Sequence, residues 1–169
     1  MTATISDIMQ TSAVIPVLVI EDALLKRLRK TFTRVSAERV VAGPGIVAIY
    51  ETLAALEGRA VPSHDDKTIW TEAIDGTDSI ALAALDRFCL ALGAVAGDLA
   101  LAQGAKAVVI AGGLGFRIKD RLIRSGFDQR FVAKGRFQGM MAAMPVKLIT
   151  HPQPGLFGAA AAFAQEHTQ

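Results

Sequence analysis

Between Val108 and Gly115 the chain reads VVIAGGLG: residues suited to a buried strand, an alanine, then glycines at 112, 113 and 115. An apolar run that ends on glycines brings bare backbone to the edge of a sheet, where a flat anionic ligand can approach peptide N–H groups without meeting a Cβ. A tight strand-to-helix turn with no ligand uses the same residues. In both readings the neighbouring segments are arranged around a strand that ends abruptly.

Those neighbours read mainly as helices. Thr77 or Asp78 caps the longest, which continues to about Gln103 with Gly104 as its stop and is apolar nearly all round. Such a helix belongs inside a layer, and Gly93 and Gly97, four apart, let another element come close. With 51% hydrophobic but only 6% aromatic residues, the core is expected to be Ala, Leu, Val and Ile in closely packed helices.

Before it, Ser6 to Gln10 suggests a helical turn, and Val14 to Ile20 (VIPVLVI) is β-branched and short, which predicts a buried strand. Glu21 to Phe32 spaces Leu24, Leu25, Leu28 and Phe32 along one helical face. Ser36 is a candidate N-cap for a short helix carrying Glu38, Gly43-Pro44-Gly45 breaks and restarts the chain into a helix ending at Gly58, and a further helix runs from Asp66 or Lys67 to Gly76. After the glycine turn come a basic helix over Ile118 to Ser125 and an irregular or helical stretch over Phe127 to Met144. A second strand over Pro145 to Thr150 and a closing helix over Leu156 to Gln165 complete the chain. No repeat or linker is evident, and no boundary is placed beyond residue 21.

Charge is segmental although the net value is only +2. Six basic residues fall in Ala23 to Arg39, nine acidic against three basic in Glu51 to Asp98, and eight basic against two acidic in Arg117 to Lys147. Solvated helix faces account for such blocks, and the total is too small to direct the chain to nucleic acid. One cysteine, Cys89, excludes a disulfide framework. No basic leader precedes a cleavage site, and Asp86, Arg87 and Asp98 interrupt the most apolar helix, so the expectation is a cytoplasmic protein without a membrane span.

Other chemistries find little footing. A dinucleotide fingerprint needs a third glycine where Ile118 stands, and no Lys with Ser or Thr follows a glycine-rich run as a Walker loop requires. His64, His151 and His167 are dispersed, so no metal site is expected. Lys106 and Lys147 are the candidate Schiff-base lysines, although an exposed position on an alternating strand explains both. Asp98 is the candidate buried carboxylate near a glycine, with a packing hydrogen bond as its other reading.

Four blocks become specific together: Val35 to Ala54 (VSAERVVAGPGIVAIYETLA), Gly97 to Ile118, Ser125 to Phe137 (SGFDQRFVAKGRF) and Met144 to Phe163 (MPVKLITHPQPGLFGAAAAF). In order and spacing they resemble the bacterial glucokinase family, over about Glu21 to His167. The resemblance implies an α/β, helix-rich partial lobe of the actin-like ATPase (hexokinase/glucokinase) fold with a small mixed sheet. It also implies ATP, with Mg in the parent family, as cofactor. Gly112, Gly113, Leu114 and Gly115 would then lie against the adenosine, with the basic residues of Arg117 to Arg136 nearby.

The family's Asp-Gly-Gly-Thr phosphate motif, the Asn-Asp pair supplying the general base, the Gly-Thr-Gly loop and the Glu-Gly-Gly-His glucose segment do not occur. No catalytic residue is therefore assigned, and little kinase activity is expected from this chain alone. Ile5 to Ala23 (ISDIMQTSAVIPVLVIEDA) instead resembles the opening of 2-keto-3-deoxy-6-phosphogluconate aldolase, without that family's later Lys and Glu. The implied organisation is an aldolase-like strand segment over 1–22, free to dock on the strands near 106 or 145, and part of a glucokinase-like large lobe over 23–169. The rival reading is a non-enzymatic module that forms a homo-oligomer or pairs with a kinase subunit.

Overall fold

A computed structural model describes residues 17–151 and 153–167. Its axis is the helix Ser79–Ala102, called α5 below. The Asp78 carboxylate accepts the Ala81 N–H at 2.7 Å, satisfying one of the unpaired donors of the first turn. Beyond the other end Gly104 takes φ 60°, which an L side chain resists. Both ends thus sit where local chemistry predicts.

Four helices precede it: α1 (Val17–Thr31), α2 (Glu38–Val41), α3 (Gly45–Leu56) and α4 (Asp66–Asp75). Ile80, Ala84 and Phe88, with Ala81, Leu85 and Cys89, form adjacent i, i+4 rows on α5 that are buried beneath α3 and α4. Trp70 of α4 meets Phe88 edge-on with centroids 5.0 Å apart, and its Nε1–H donates to the Gly43 carbonyl at 2.9 Å. That bond fixes α4 to the turn before α3 while keeping the buried indole satisfied. By length and composition α5 would cross a membrane, but its apolar rows are covered by neighbouring helices.

After α5 come β1 (Val108–Ile110), α6 (Gly113–Arg117), α7 (Lys119–Arg124), α8 (Phe127–Val132), a 3₁₀ turn (Gly135–Phe137), α9 (Gln138–Ala142), β2 (Val146–Leu148) and α10 (Pro154–His167). The two strands pair in parallel, Val109 opposite Lys147. The expected helix-rich fold with a small sheet is therefore present, and its pairing is parallel. α8 packs on the Gly93 and Gly97 face of α5, the close approach expected from that spacing.

Two expectations need correction. The strand predicted for Val14 to Ile20 is not formed over residues 17–20, which open α1; residues 14–16, like the helical turn at 6–10, lie outside the described residues. Ile20, Leu24 and Leu28 at i, i+4 and i+8 are all buried on one face of α1, and this tertiary burial overrides the β preference of the run. With their backbone in helical conformation, residues 17–20 do not form a strand that extends the sheet. Ser36 does not cap α2: Ala37 holds that position without a side-chain bond, while the Ser36 carbonyl accepts the Arg39 N–H at 3.1 Å. The basic helix expected over 118–125 is present as α7, with Ile118 and Ser125 as its flanking caps, and the short α6 precedes it directly after Gly112.

Candidate functional site

β1 runs into Ala111 and Gly112, and Gly112 takes φ 107° and ψ 167°, a conformation open to glycine and little else. The chain reverses there into α6, with the Phe116 N–H donating back to the Gly112 carbonyl at 3.1 Å. A Cβ built at Gly112 or Gly113 would meet no atom within 4 Å, whereas one at Gly115 would stand 3.2 Å from Ile110 Cγ2 and 3.5 Å from Leu148 Cδ1. The glycines thus divide their work. Gly115 lets α6 lie close on both strands, and Gly112 and Gly113 leave open backbone at the carboxyl end of a parallel pair, where α/β sheets present their ligands. Leu114 is packed against the core.

The positive charge expected nearby is largely committed. Arg121 is paired with Asp86, Arg130 with Glu21 at 2.6 Å, and Lys134 with Asp98 at 2.7 Å. Lys119 and Arg136 lie over the rings of Phe116 and Phe137. Among the described residues the side chains of Arg117 and Arg124 make no ion pair or hydrogen bond.

Asp98 is not the buried carboxylate it was expected to be: its side chain is 70% exposed, and the buried member of the pair is Lys134, which also donates to the Ala94 carbonyl at 2.9 Å. Lys106 and Lys147 are both exposed, Lys147 on the outward position of β2, so neither has the dry pocket a Schiff-base lysine needs. No group of three or more His, Cys, Asp and Glu that could hold a metal occurs among the described residues. Cys89 is fully buried, and burial pushes its thiol up to about 11, far from the thiolate of a nucleophile.

A cleft that went unassigned in the sequence lies elsewhere. Residues of α1, α2 and the start of α3 enclose about 640 Å³, with Arg27, Lys30, Phe32, Arg39 and Glu51 on its walls. Arg27 bridges to Glu51 across the cleft wall, and Arg39 stacks on Phe32 at 4.0 Å. The signal available beforehand was the basic run of α1 together with the Gly43-Pro44-Gly45 break. Only packing shows that they face each other.

A profile of the glucokinase family, described as "Glucokinase", matches residues 15–166. The chain is 59% identical over 150 residues to the glucokinase of Zymomonas mobilis, covering 89% of this chain and 46% of that protein. It is 45% identical over 134 residues to a Caulobacter vibrioides glucokinase, covering 79% and 40%. The crystal structure of a glucokinase from an Antarctic psychrotroph superposes with a TM-score of 0.77 at 38% identity, covering 90% of this chain and 47% of that one. The chain thus spans about half the length of the relatives it matches.

Proposed function

The chain belongs to the glucokinase family, and from that membership we propose that Gly112, Gly113, Leu114 and Gly115 hold the adenosine side of ATP for the phosphorylation of glucose to glucose 6-phosphate. The observation that carries this reading is the open backbone of Gly112 and Gly113 at the end of β1. An adenosine can approach there without steric obstruction, and exposed Val109 is a neighbouring apolar surface. Bound ATP supplies the transferable phosphoryl group, with Mg carried by its phosphates. This chain's part is to bind and orient the nucleoside.

We further propose that these residues do not transfer phosphate alone, because the family's general-base Asn-Asp and glucose-binding Glu-Gly-Gly-His do not occur in them. The proposed setting is the cytoplasm, and the proposed organisation is a lobe from about residue 23 preceded by the aldolase-like stretch, whose last residues the family match overlaps from residue 15.

Titration with a fluorescent ATP analogue tests the site. Gly113→Val is expected to weaken binding about tenfold with unchanged thermal unfolding, since its side chain would point into open space over the turn; equal binding by both proteins would refute the assignment. Coupled detection of ADP with ATP and glucose, with and without an N-terminal glucokinase half, tests the activity claim.

A specific observation favours the second reading, an association module. α10 has no buried residue, and Leu156, Phe157 and Phe163 on it are 68%, 64% and 64% exposed. Light scattering that shows self-association without nucleotide affinity would favour this module.

A further inference from the structure

Outside the glycine turn, α6 and α7 place Arg117, Arg121 and Arg124 around one recess of about 230 Å³. Its apolar lining comes from Ala73 and Ile74 of α4, Leu82 and Leu85 of α5 and Ile118, and Asp120 also lines it. The three arginines differ in freedom. Both Nε and Nη2 of Arg121 donate to the Asp86 carboxylate, the first at 2.6 Å, and this bond holds the guanidinium above its already high ordinary range. Arg121 is therefore a fixed, neutralised wall.

Arg117 and Arg124 flank it with no partner among the described residues, so they and Asp120 leave one net positive charge on a recess backed by hydrocarbon. Apolar lining strengthens the attraction of such forks for an anion, and planar guanidinium groups match phosphate oxygens in pairs. A solvated helix face would spread its charges around the cylinder. Here the junction of α6 and α7 at Ile118, with the three-residue spacing of Arg121 and Arg124 within α7, brings all three arginines to one recess.

We propose that this recess binds the phosphate portion of a small phosphorylated molecule, with Arg117 and Arg124 as its anchors. Gly112 to Gly115 do not line it, so the assignment stands apart from the adenosine reading.

The test uses inorganic pyrophosphate as probe, titrated calorimetrically into the full chain at low and physiological salt. Saturable binding is expected, weakening as salt rises. Because both anchors are exposed, the double variant Arg117→Gln/Arg124→Gln is expected to keep its unfolding midpoint and lose binding at least tenfold, while Gly113→Val binds pyrophosphate normally. Contact is read independently from the Nε–H resonances of the unmodified protein, where Arg117 and Arg124 should shift. No binding, undiminished binding by the double variant, or shifts confined to arginines elsewhere would each overturn the proposal.

Discussion

Adding one methyl group to Gly93 should loosen the contact between α5 and α8. A Cβ there would lie 2.3 Å from the carbonyl oxygen of Phe127 and 3.0 Å from its carbonyl carbon and Cα. Ordinary contact begins at 3.4 Å, so α8 would have to withdraw by about 1 Å. The obstacle is backbone, which no rotamer change relieves. Withdrawal lifts Phe127 and Phe131, 3% and 1% exposed, off the core, and overpacking of this kind costs about 1–3 kcal/mol. Replacing a helical glycine by alanine returns up to ~1 kcal/mol of propensity, so the lower part of that range could be masked.

The control is Gly139→Ala in α9, where the new Cβ meets nothing within 4 Å and only the propensity gain operates. Urea unfolding followed by circular dichroism should place Gly93→Ala about 2 kcal/mol below Gly139→Ala, or about 4–8 °C lower in thermal midpoint. Equal stability of the two variants would refute the close-approach argument. Gly97→Ala, facing the Phe131 carbonyl oxygen at 2.5 Å, should behave like Gly93→Ala.

Removing the Asp78 cap by Asp78→Ala should cost about 1 kcal/mol in the same urea experiment, since the Ala81 N–H loses its acceptor. Trp70→Phe should cost about 1–3 kcal/mol, because the Gly43 carbonyl loses its donor and the smaller ring leaves space beside Phe88. Ellman's reagent at pH 8 should leave Cys89 unmodified in the folded protein and react at once in denaturant. Because burial raises the folded thiol from 9.0 to about 11, stability relative to Cys89→Ala should be intact below pH 9 and fall by about 3 kcal/mol as pH rises through 11; parallel curves would contradict this. Deleting residues 154–167 should change unfolding by less than about 0.5 kcal/mol, since α10 buries nothing, and should abolish any self-association seen by light scattering.

Local chemistry made several features legible in advance. Asp78 and Gly104 mark the ends of α5, Gly76 takes the left-handed conformation that closes α4, and the four-residue spacing of Gly93 and Gly97 announced a close neighbour. The glycine turn after β1 belongs with them, as a backbone requirement written at Gly112 itself. Four blocks in register were enough to place the chain in its family. The signals that misled were equally local. VIPVLVI has the composition of a strand, and nothing within it reports that Ile20 will be buried with Leu24 and Leu28.

The sequence by itself determined most of the helices, where most of them stop, and where backbone must be bare, because capping, left-handed φ and side-chain period act within a few residues. Only the tertiary structure decided which charges are spent and which remain free. Arg121 and Asp86 are 35 positions apart, Lys134 and Ala94 40, and Arg130 and Glu21 109. An ion pair or a cleft wall depends on distances set by helix packing, and no short-range pattern encodes them.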